Sequence, residues 1–385
     1  MGRTTPLAWM SLIHDWRRLL ASVSGVGFAV LLMATELGFL HSIYDSSTLV
    51  LDVLDGELLM VSTLKDDFNP SKPFPRSRLE QALGFPEVEA VYPLWLSRLV
   101  AWSTRGAVER DLVRLLAFDP VDPIFTLPEI AAQQHLLRRP DTALVDRRLR
   151  DVYGGGLRAG AFGELGGRRI EIVGDFELGP DLQLNANLLV SDLTFHRTLF
   201  APGANERPLE QVEIGVLRLA DGVVPETFAS RLQDALPDDV RCLTPHQLRR
   251  EIHGFWTRHQ PVGAVFGIGL LVGFFIGLMI CYQVLFTDVV DQLPQFATLK
   301  AIGYPDRFLT TLAVRRGLYL ALMALAVGLP AALLTYHLLA ELTGLRFALT
   351  LGRAVLVAVA AIVMCILASL LATRRAIRTD PAEVF

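Results

Sequence analysis

Four long apolar segments constrain this chain more than any other feature of its sequence. They cover residues 19–40, 262–286, 317–340 and 354–373. A helix of about 20 apolar residues crosses the hydrocarbon core of a bilayer, and each segment reaches that length. The sequence therefore predicts an α-helical membrane protein with four transmembrane helices.

The overall composition supports this class. Hydrophobic residues make up 52% of the chain, charged residues 20%, and the mean hydropathy is +0.40, which is high for a soluble domain. The formal net charge of −4, without a long basic run, argues against a nucleic-acid partner. Two of the three cysteines, Cys281 and Cys365, lie in apolar segments, so no disulfide pair is available to the hydrophilic region.

A long hydrophilic region, residues 42–258, separates the first and second apolar segments. Strand-like and helical patterns alternate along it, which predicts a large α+β domain inserted between the first two transmembrane helices. The proline-rich stretch 120–128 and the turn-rich stretch 201–208 look like borders of an insertion. We therefore expect a core of residues 42–119 and 206–258, interrupted by an inserted subdomain of residues 120–205. Strands are predicted at 57–62, 88–92, 112–118, 169–176, 188–190, 212–219 and 240–243, and helices at 76–83, 225–235 and 245–258.

The distribution of basic residues predicts the orientation in the membrane. Arginine or lysine residues cluster before the first apolar segment, in the loop 287–316 and in the tail 374–385, whereas the loop 341–353 carries only two. Basic residues accumulate on the cytoplasmic side of a membrane. Both termini are therefore predicted to be cytoplasmic, in an inner-membrane protein whose region 42–258 lies in the periplasm.

The N-terminal part leaves two alternatives open. Apolar residues of the stretch 1–18, among them Trp9 and Trp16, share a helical face, which predicts a helix lying in the cytoplasmic interface. The alternative is that they begin a longer first transmembrane helix. Glu36 lies about 27 Å along the helix from Arg18, near the far interface. It either reaches water there or is a functional carboxylate within the membrane.

The second apolar segment contains regularly spaced glycines. Small residues four apart let two helix backbones approach closely in lipid, where no hydrophobic drive favours association. We predict that these glycines mediate helix packing; the alternative is a generic glycine-rich span. The five residues are Gly263, Gly267, Gly269, Gly273 and Gly277.

The loop 287–316 contains a short candidate helix. Pro294 suits the first turn of a helix, and Gly303 followed by a proline suits its end. A helix this short is marginal on its own. Its apolar residues recur every three positions, so we expect this ridge to dock into a partner; the alternative is that it lies on the lipid surface. The ridge consists of Phe296, Leu299 and Ile302, and Lys300 faces elsewhere.

The same stretch carries a resemblance to a known family. Gln295-Phe-Ala-Thr-Leu-Lys-Ala-Ile-Gly303 resembles the coupling-helix segment of FtsX/MacB-type permeases, the type VII ABC transporters, with Gln295 where that family usually has an acid. The C-terminal residues 374–385, which include Asp380-Pro-Ala-Glu383, are similar to the tail of the same family. Short phrases such as Val88-Glu-Ala-Val-Tyr-Pro93 occur in the order typical of the DevC permease branch.

The resemblance implies a function. It implies the permease subunit of an ABC exporter that forms a homodimer and binds two copies of a separate ATPase, which would bind ATP and magnesium. In the family, the coupling helices transmit ATPase closure through spans one and two to the periplasmic domains. A membrane-fusion adaptor and a TolC-like outer-membrane channel are expected partners. Alternatives are an FtsX-like transmitter that controls a cell-wall hydrolase, or a lipoprotein-release permease.

Motifs for chemistry within the chain itself are not found in the sequence. It contains no G-x-x-x-x-G-K-[ST], G-x-S-x-G or H-E-x-x-H pattern, so we expect no catalytic residue and no cofactor in this chain. His246, His253 and His259 lie near one another, but without a ligand motif we expect no metal. Asp141, Asp146 and Asp151 alternate with arginines, which predicts a solvated charged surface.

Overall fold

The structure, a computed structural model, describes residues 16–65, 72–104, 111–148, 158–180, 184–199, 208–259, 261–291 and 306–378. The predicted coupling segment 292–305, most of the predicted interfacial helix and the last seven residues lie outside the described residues. The chain divides into two compact units. The helical unit contains residues 1–41, 262–339 and 347–385, and the inserted domain contains residues 42–261 together with 340–346.

Four long helices build the helical unit. They are α1 (Trp16–Ser47), α7 (Val262–Asp291), α8 (Asp306–Thr343) and α9 (Leu351–Arg378). Each contains a stretch that is long and apolar enough to cross a membrane, at Leu19–Ser47, Gly263–Thr287, Thr310–Thr343 and Leu351–Arg374. The four transmembrane helices and the α+β domain between the first two are confirmed. All four helices extend beyond the predicted apolar segments, because polar flanking residues continue the helix.

The inserted domain contains five shorter helices and a mixed set of strands among its described residues. The helices are α2 (Ser77–Leu83), α3 (Pro128–Gln133), α4 (Asp192–Leu199), α5 (Pro225–Ala235) and α6 (Pro245–His259). The strands are β1 (Leu58–Ser62), β2 (Phe74–Pro75), β3 (Val88–Thr104), β4 (Asp111–Phe118), β5 (Thr142–Asp146), β6 (Phe162–Leu165), β7 (Arg168–Phe176), β8 (Ala186–Ser191), β9 (Gln211–Val212), β10 (Ile214–Leu219) and β11 (Val240–Leu243). A 3₁₀-helix, Leu49–Val53, follows α1.

The strands form an open sheet that continues into a barrel. The open sheet has the order β11-β1-β10-β3, with antiparallel pairs throughout. The barrel has the order β3-β4-β8-β5-β7-β6 and closes by pairing β6 with β3. Strand β3 serves both parts: Val88–Leu94 pairs with β10, and the stretch from Trp95 onward pairs with β4 and β6. β2 and β9 form a separate two-stranded sheet.

The predicted border between core and inserted subdomain does not coincide with the strand pairing. β4 and the second half of β3 fall in the predicted core 42–119, yet they pair with strands of the predicted insertion 120–205. The loop composition could not reveal this, because pairing between distant strands depends on the tertiary fold. The predicted strand 212–219 is interrupted at Glu213, whose buried carboxylate pairs with Lys65 Nζ at 3.1 Å.

One hydrophobic core runs through both the open sheet and the barrel. Leu217 and Leu232 belong to its open-sheet part and Val113, Ile172 and Leu188 to its barrel part, and all five are completely buried. Full burial of such a side chain contributes about 1.5–3 kcal/mol. The inserted domain thus has an ordinary aliphatic core, and the described cysteine in it, Cys242, is buried and free.

Candidate functional site

The seam between α1 and α7 is built around three of the predicted glycines. A Cβ atom added at Gly269 would lie 2.6 Å from the carboxyl carbon of Glu36, and one at Gly273 would lie 3.3 Å from Cγ of Met33. A Cβ atom at Gly277 would lie 2.6 Å from the Cβ of Ala29. The contacts shift toward the start of α1 as they advance along α7, so the two helices run antiparallel. These glycines therefore permit close packing within one chain.

Of the other two glycines of the predicted set, Gly267 lies away from this seam. Gly267 faces open space, with no described atom within 4 Å of an added Cβ atom. Gly263 lies at the start of the candidate span and is partly exposed. The geometry accordingly separates the glycines that face α1 from one that faces outward.

A second seam joins α1 to α8. A Cβ atom added at Gly328 would lie 2.8 Å from the carbonyl oxygen of Gly27. Farther along, the ring of Tyr336 lies against Gly38, and its hydroxyl donates a hydrogen bond to the carbonyl oxygen of Ala34. Gly38 leaves the space that the ring fills, so any larger residue there would collide with it. The sequence predicts no contact between these positions; the glycines in the first apolar segment are the only signal for it.

Aromatic rings connect the helices at the same end of the bundle. The ring of Phe39 on α1 stacks on Phe266 of α7 with 5.8 Å between centroids, and it meets Phe347 edge-on at 5.1 Å. Tyr336 of α8 lies 5.7 Å from the same Phe347, which precedes α9. Such pairs each add about 0.5–1.5 kcal/mol beyond their buried area. α1 is thus linked to all three other helical segments at this end.

Small residues also bring α9 close to its neighbours. A Cβ atom at Gly317 of α8 would lie 2.9 Å from the carbonyl oxygen of Cys365. Cys281 of α7 and Cys365 of α9 belong to one buried cluster, and both are completely buried. In the described part of the bundle, small residues thus allow the closest backbone approaches, while larger aliphatic and aromatic side chains fill the space around them.

In the inserted domain, a buried polar cluster lies at one end of the barrel. The Asp146 carboxylate is inaccessible to solvent and accepts hydrogen bonds from the backbone nitrogens of Arg148 (3.0 Å), Leu178 (3.1 Å) and Gly179 (2.7 Å). The Asn187 side-chain amide donates a fourth at 2.7 Å. Burial raises the pKa of Asp146, and these hydrogen bonds oppose that shift. The prediction of a solvated surface is wrong for Asp146, because the fold covers it.

The segment that follows α8 packs on this cluster. Gly344 has a positive φ of 71°, and its N–H donates to the carbonyl oxygen of Ala340 at 2.9 Å, so it ends the helix. Leu345 is buried, and Arg346 is partly buried. Burial and the neighbouring Arg148 lower the pKa of Arg346, whereas Glu177 and Asp146 raise it.

The remaining predicted residues show no assembled chemistry. Glu36 lies against α7 as described, partly exposed. His246 is exposed, and His253 stacks on Tyr44 with 5.7 Å between ring centroids. Within the described residues, no group of three or more histidine, cysteine or acidic side chains is placed to hold a metal ion. The side chain of His259 lies outside the described part.

The coupling residues cannot be placed by this structure. Gln295, Phe296, Leu299, Lys300, Ile302 and Gly303 all lie outside the described residues. Their docking into a partner stays a prediction from the sequence.

Comparison with known proteins gives a partial match. Residues 264–381 match the family model for the FtsX-like permease C-terminal domain. Over 110 residues the chain is 32% identical to uncharacterized ABC transporter permeases from two strains of Mycobacterium tuberculosis, CDC 1551 / Oshkosh and ATCC 25618 / H37Rv. The match covers 29% of this chain and 30% of each relative, so it spans under a third of the relatives' length.

Two solved structures resemble part of the chain. The periplasmic region of MacB from Actinobacillus actinomycetemcomitans superposes with a TM-score of 0.36 at 9% identity, covering 52% of this chain and 94% of that structure. The extracellular domain of the noncanonic ABC-type transporter YknZ from Gram-positive bacteria superposes with a TM-score of 0.32 at 12% identity, covering 49% and 99%.

Proposed function

We propose that this chain, whose residues 264–381 match the family model of the FtsX-like permease C-terminal domain, is the membrane subunit of an ABC exporter. In this proposal a separate ATPase binds ATP and magnesium, and this chain converts ATPase closure into movement of its inserted domain. Both termini lie in the cytoplasm, and the inserted domain lies in the periplasm. An adaptor and a TolC-like outer-membrane channel complete the export path.

The observation that carries the proposal is the glycine seam between α1 and α7. These two helices lead into and out of the inserted domain along the chain. Gly269, Gly273 and Gly277 bring them into close contact. Closely packed helices move together more readily than helices separated by flexible side chains. A displacement at one end of the α1–α7 pair is therefore passed to the inserted domain without being lost between the helices.

A second copy of the chain is part of the proposal. α7 presents a row of apolar side chains that the described residues leave exposed, spaced alternately three and four apart. Spacing of this kind forms a helix–helix seam in coiled coils and membrane bundles. The row consists of Val265, Ile268, Val272, Phe275 and Met279.

The decisive test concerns the segment 292–305. Leu299→Asp in the full chain removes an apolar side chain that would contribute about 1.5–3 kcal/mol when buried, and it adds a carboxylate that must lose its hydration. We expect the variant to reach the membrane with a folded inserted domain and to lose its ATPase on purification. The measurement is the amount of ABC ATPase subunit that co-purifies with the chain from the cells that produce it.

Lys300→Ala is the matched control, because the sequence pattern places Lys300 off the apolar ridge. It should retain the ATPase nearly as well as the unmodified chain. Full retention and full transport by Leu299→Asp would refute the docking. If the complex hydrolyses ATP and moves no substrate but activates a cell-wall hydrolase, the transmitter alternative replaces export.

A further inference from the structure

We propose that residues 340–346 form a latch that couples the barrel to α8 and α9, so that a shift of these helices against α1 moves the barrel against the open sheet. The latch segment consists of the last turn of α8 and the three residues that follow it, and it belongs to the compact unit of the inserted domain rather than to the helical unit. The docking of residues 340–346 on the barrel does not depend on the proposed function. The consequence of this docking for transport rests on the proposed function.

The geometry of the latch begins at Gly344. Its positive φ turns the chain away from the helix axis, and the close approach to the barrel leaves no room for a side chain. A Cβ atom there would lie 2.9 Å from the carbonyl oxygen of Arg148 and 3.0 Å from Cγ of Pro180. A backbone oxygen cannot move aside as a flexible side chain can. This position therefore requires glycine for both conformation and space.

The next two residues of the latch secure it. Leu345 is only 3% exposed, and its N–H donates to Oγ1 of Thr343 at 3.3 Å. Arg346 extends toward Gly179, where an added Cβ atom would lie 3.8 Å from Nε of the arginine. Burial and the charge of Arg148 lower the pKa of Arg346, and the negative charges of Glu177 and Asp146 partly oppose this shift. An arginine is thus accommodated beside another arginine because two carboxylates flank it.

The barrel segment that receives the latch also contacts the exit of α1. A Cβ atom at Gly179 would lie 3.5 Å from Cδ1 of Leu49, in the 3₁₀-helix that follows α1. The backbone of this segment is fixed to the barrel by the hydrogen bonds from Leu178 and Gly179 to Asp146. Gly179 consequently lies between a residue tied to α1 and a residue tied to α8 and α9.

Chain continuity separates the attachments of the two sheet parts. β1 follows α1 through the 3₁₀-helix, and β11 leads through α6 into α7, so the open sheet is tied to α1 and α7. The barrel joins the open sheet through β3. The latch gives it a separate connection to α8 and α9. If α1 and α7 moved relative to α8 and α9, the open sheet and the barrel would therefore be displaced differently.

The docking is tested by hydrogen exchange on the full chain in nanodiscs. Gly344→Ala should make the amides of Leu178 and Gly179 exchange about tenfold faster, because the segment opens more often once the latch is displaced. The matched control is Gly222→Ala: Gly222 has a φ of 85° and open space around it, so it imposes the same backbone strain without a collision. Unchanged exchange at Leu178 and Gly179 in Gly344→Ala would overturn the docking.

A second variant separates docking from the end of the helix. Arg346→Ala leaves Gly344 in place and removes the side chain beside Glu177, so it should also accelerate exchange at Gly179. Arg353→Ala, whose side chain donates to the carbonyl oxygen of Ala348, serves as its control. Faster exchange in Gly344→Ala together with no change in Arg346→Ala would show that only the helix end was disturbed, and would contradict the role of Arg346.

The coupling of the barrel to α8 and α9 through the latch is tested with spin labels on exposed residues of the two sheet parts. The labels are attached at Phe162→Cys in the barrel and at Leu83→Cys beside the open sheet. The three native cysteines are buried and should not react. In the complex with its ATPase, ATP should change the distance between the labels, and Gly344→Ala should abolish the change while ATP hydrolysis continues. If ATP changed the distance between the labels in Gly344→Ala as much as in the unmodified chain, the coupling through the latch would be refuted. Loss of the ATPase from the unmodified chain would instead refute the proposed function and leave the exchange result standing.

Discussion

The helical unit and the inserted domain both bury aliphatic side chains, but they differ in what dominates their packing. In the helical unit, close contacts occur where side chains are missing, as at Gly277 against Ala29 and at Gly328 against Gly27. In the inserted domain, the core is filled by large aliphatic side chains such as Leu188 and Leu217. In lipid there is no hydrophobic driving force for helices to associate, so contact between helices depends on how closely their backbones can approach. Water supplies that drive for the inserted domain.

This comparison predicts opposite responses to a change in side-chain volume. Removing volume should damage the inserted domain most, and adding volume should damage the helix seams most. The following substitutions test it in order of expected effect.

The largest effect is expected from Leu188→Ala in the barrel. Leu188 is completely buried, so the substitution leaves a cavity that should cost about 2–5 kcal/mol. The measurement is the free energy of opening of β5 and β8 by hydrogen exchange on the full chain. Leu193→Ala is the control, since Leu193 is 44% exposed and should change stability by no more than about 0.5 kcal/mol. If Leu188→Ala and Leu193→Ala lowered the free energy of opening equally, the barrel core would not be the main source of the domain's stability.

A smaller effect is expected from Gly277→Leu in the α1–α7 seam. The new side chain would collide with Ala29 and with the sulfur of Met364, and overpacking of this kind costs about 1–3 kcal/mol. Unfolding in mixed micelles, followed by circular dichroism, measures the loss. Gly267→Leu places the same side chain into open space and should be nearly neutral in the monomer. If Gly267→Leu is the more harmful in monomeric protein, the assignment of the two faces of α7 is reversed.

The smallest effect concerns a charge rather than a volume. Burial, followed by the charge of Asp119, raises the pKa of Asp122 to about 6. The folded state therefore binds this proton more tightly than the unfolded state, and its contribution to stability falls as pH rises from the ordinary aspartate pKa through about 6. Asp122→Asn should remove this part of the pH dependence and stabilise the domain at neutral pH.

Local unfolding around 119–126, followed by hydrogen exchange at several pH values, measures this contribution. Glu226→Gln is a suitable control, because Glu226 lies in the first turn of α5, away from this acidic group. A pH profile of Asp122→Asn that matches the unmodified chain between pH 4 and about 6 would contradict the assignment.

Local patterns were sufficient to predict much of the inserted domain's secondary structure. The strand Val240–Leu243 and the helix Pro225–Ala235 have the bounds that the sequence predicts. The sequence patterns do not predict strands β2, β5 and β6 or helices α3 and α4. β5 is buried at every position, so it lacks the alternation that marks a half-buried strand, and α3 is too short for a clear helical period.

By itself, the sequence determined the four membrane helices, the place of the inserted domain and the glycines available for packing, because length and apolar content decide what can cross a bilayer. Only the tertiary structure decided which helix faces those glycines, that β3 joins an open sheet to a barrel, and that Asp146 is buried. It also decided that Gly344 docks on Arg148. Each of these depends on residues far apart in the chain, and their contact follows from the packing of the whole fold rather than from any local pattern.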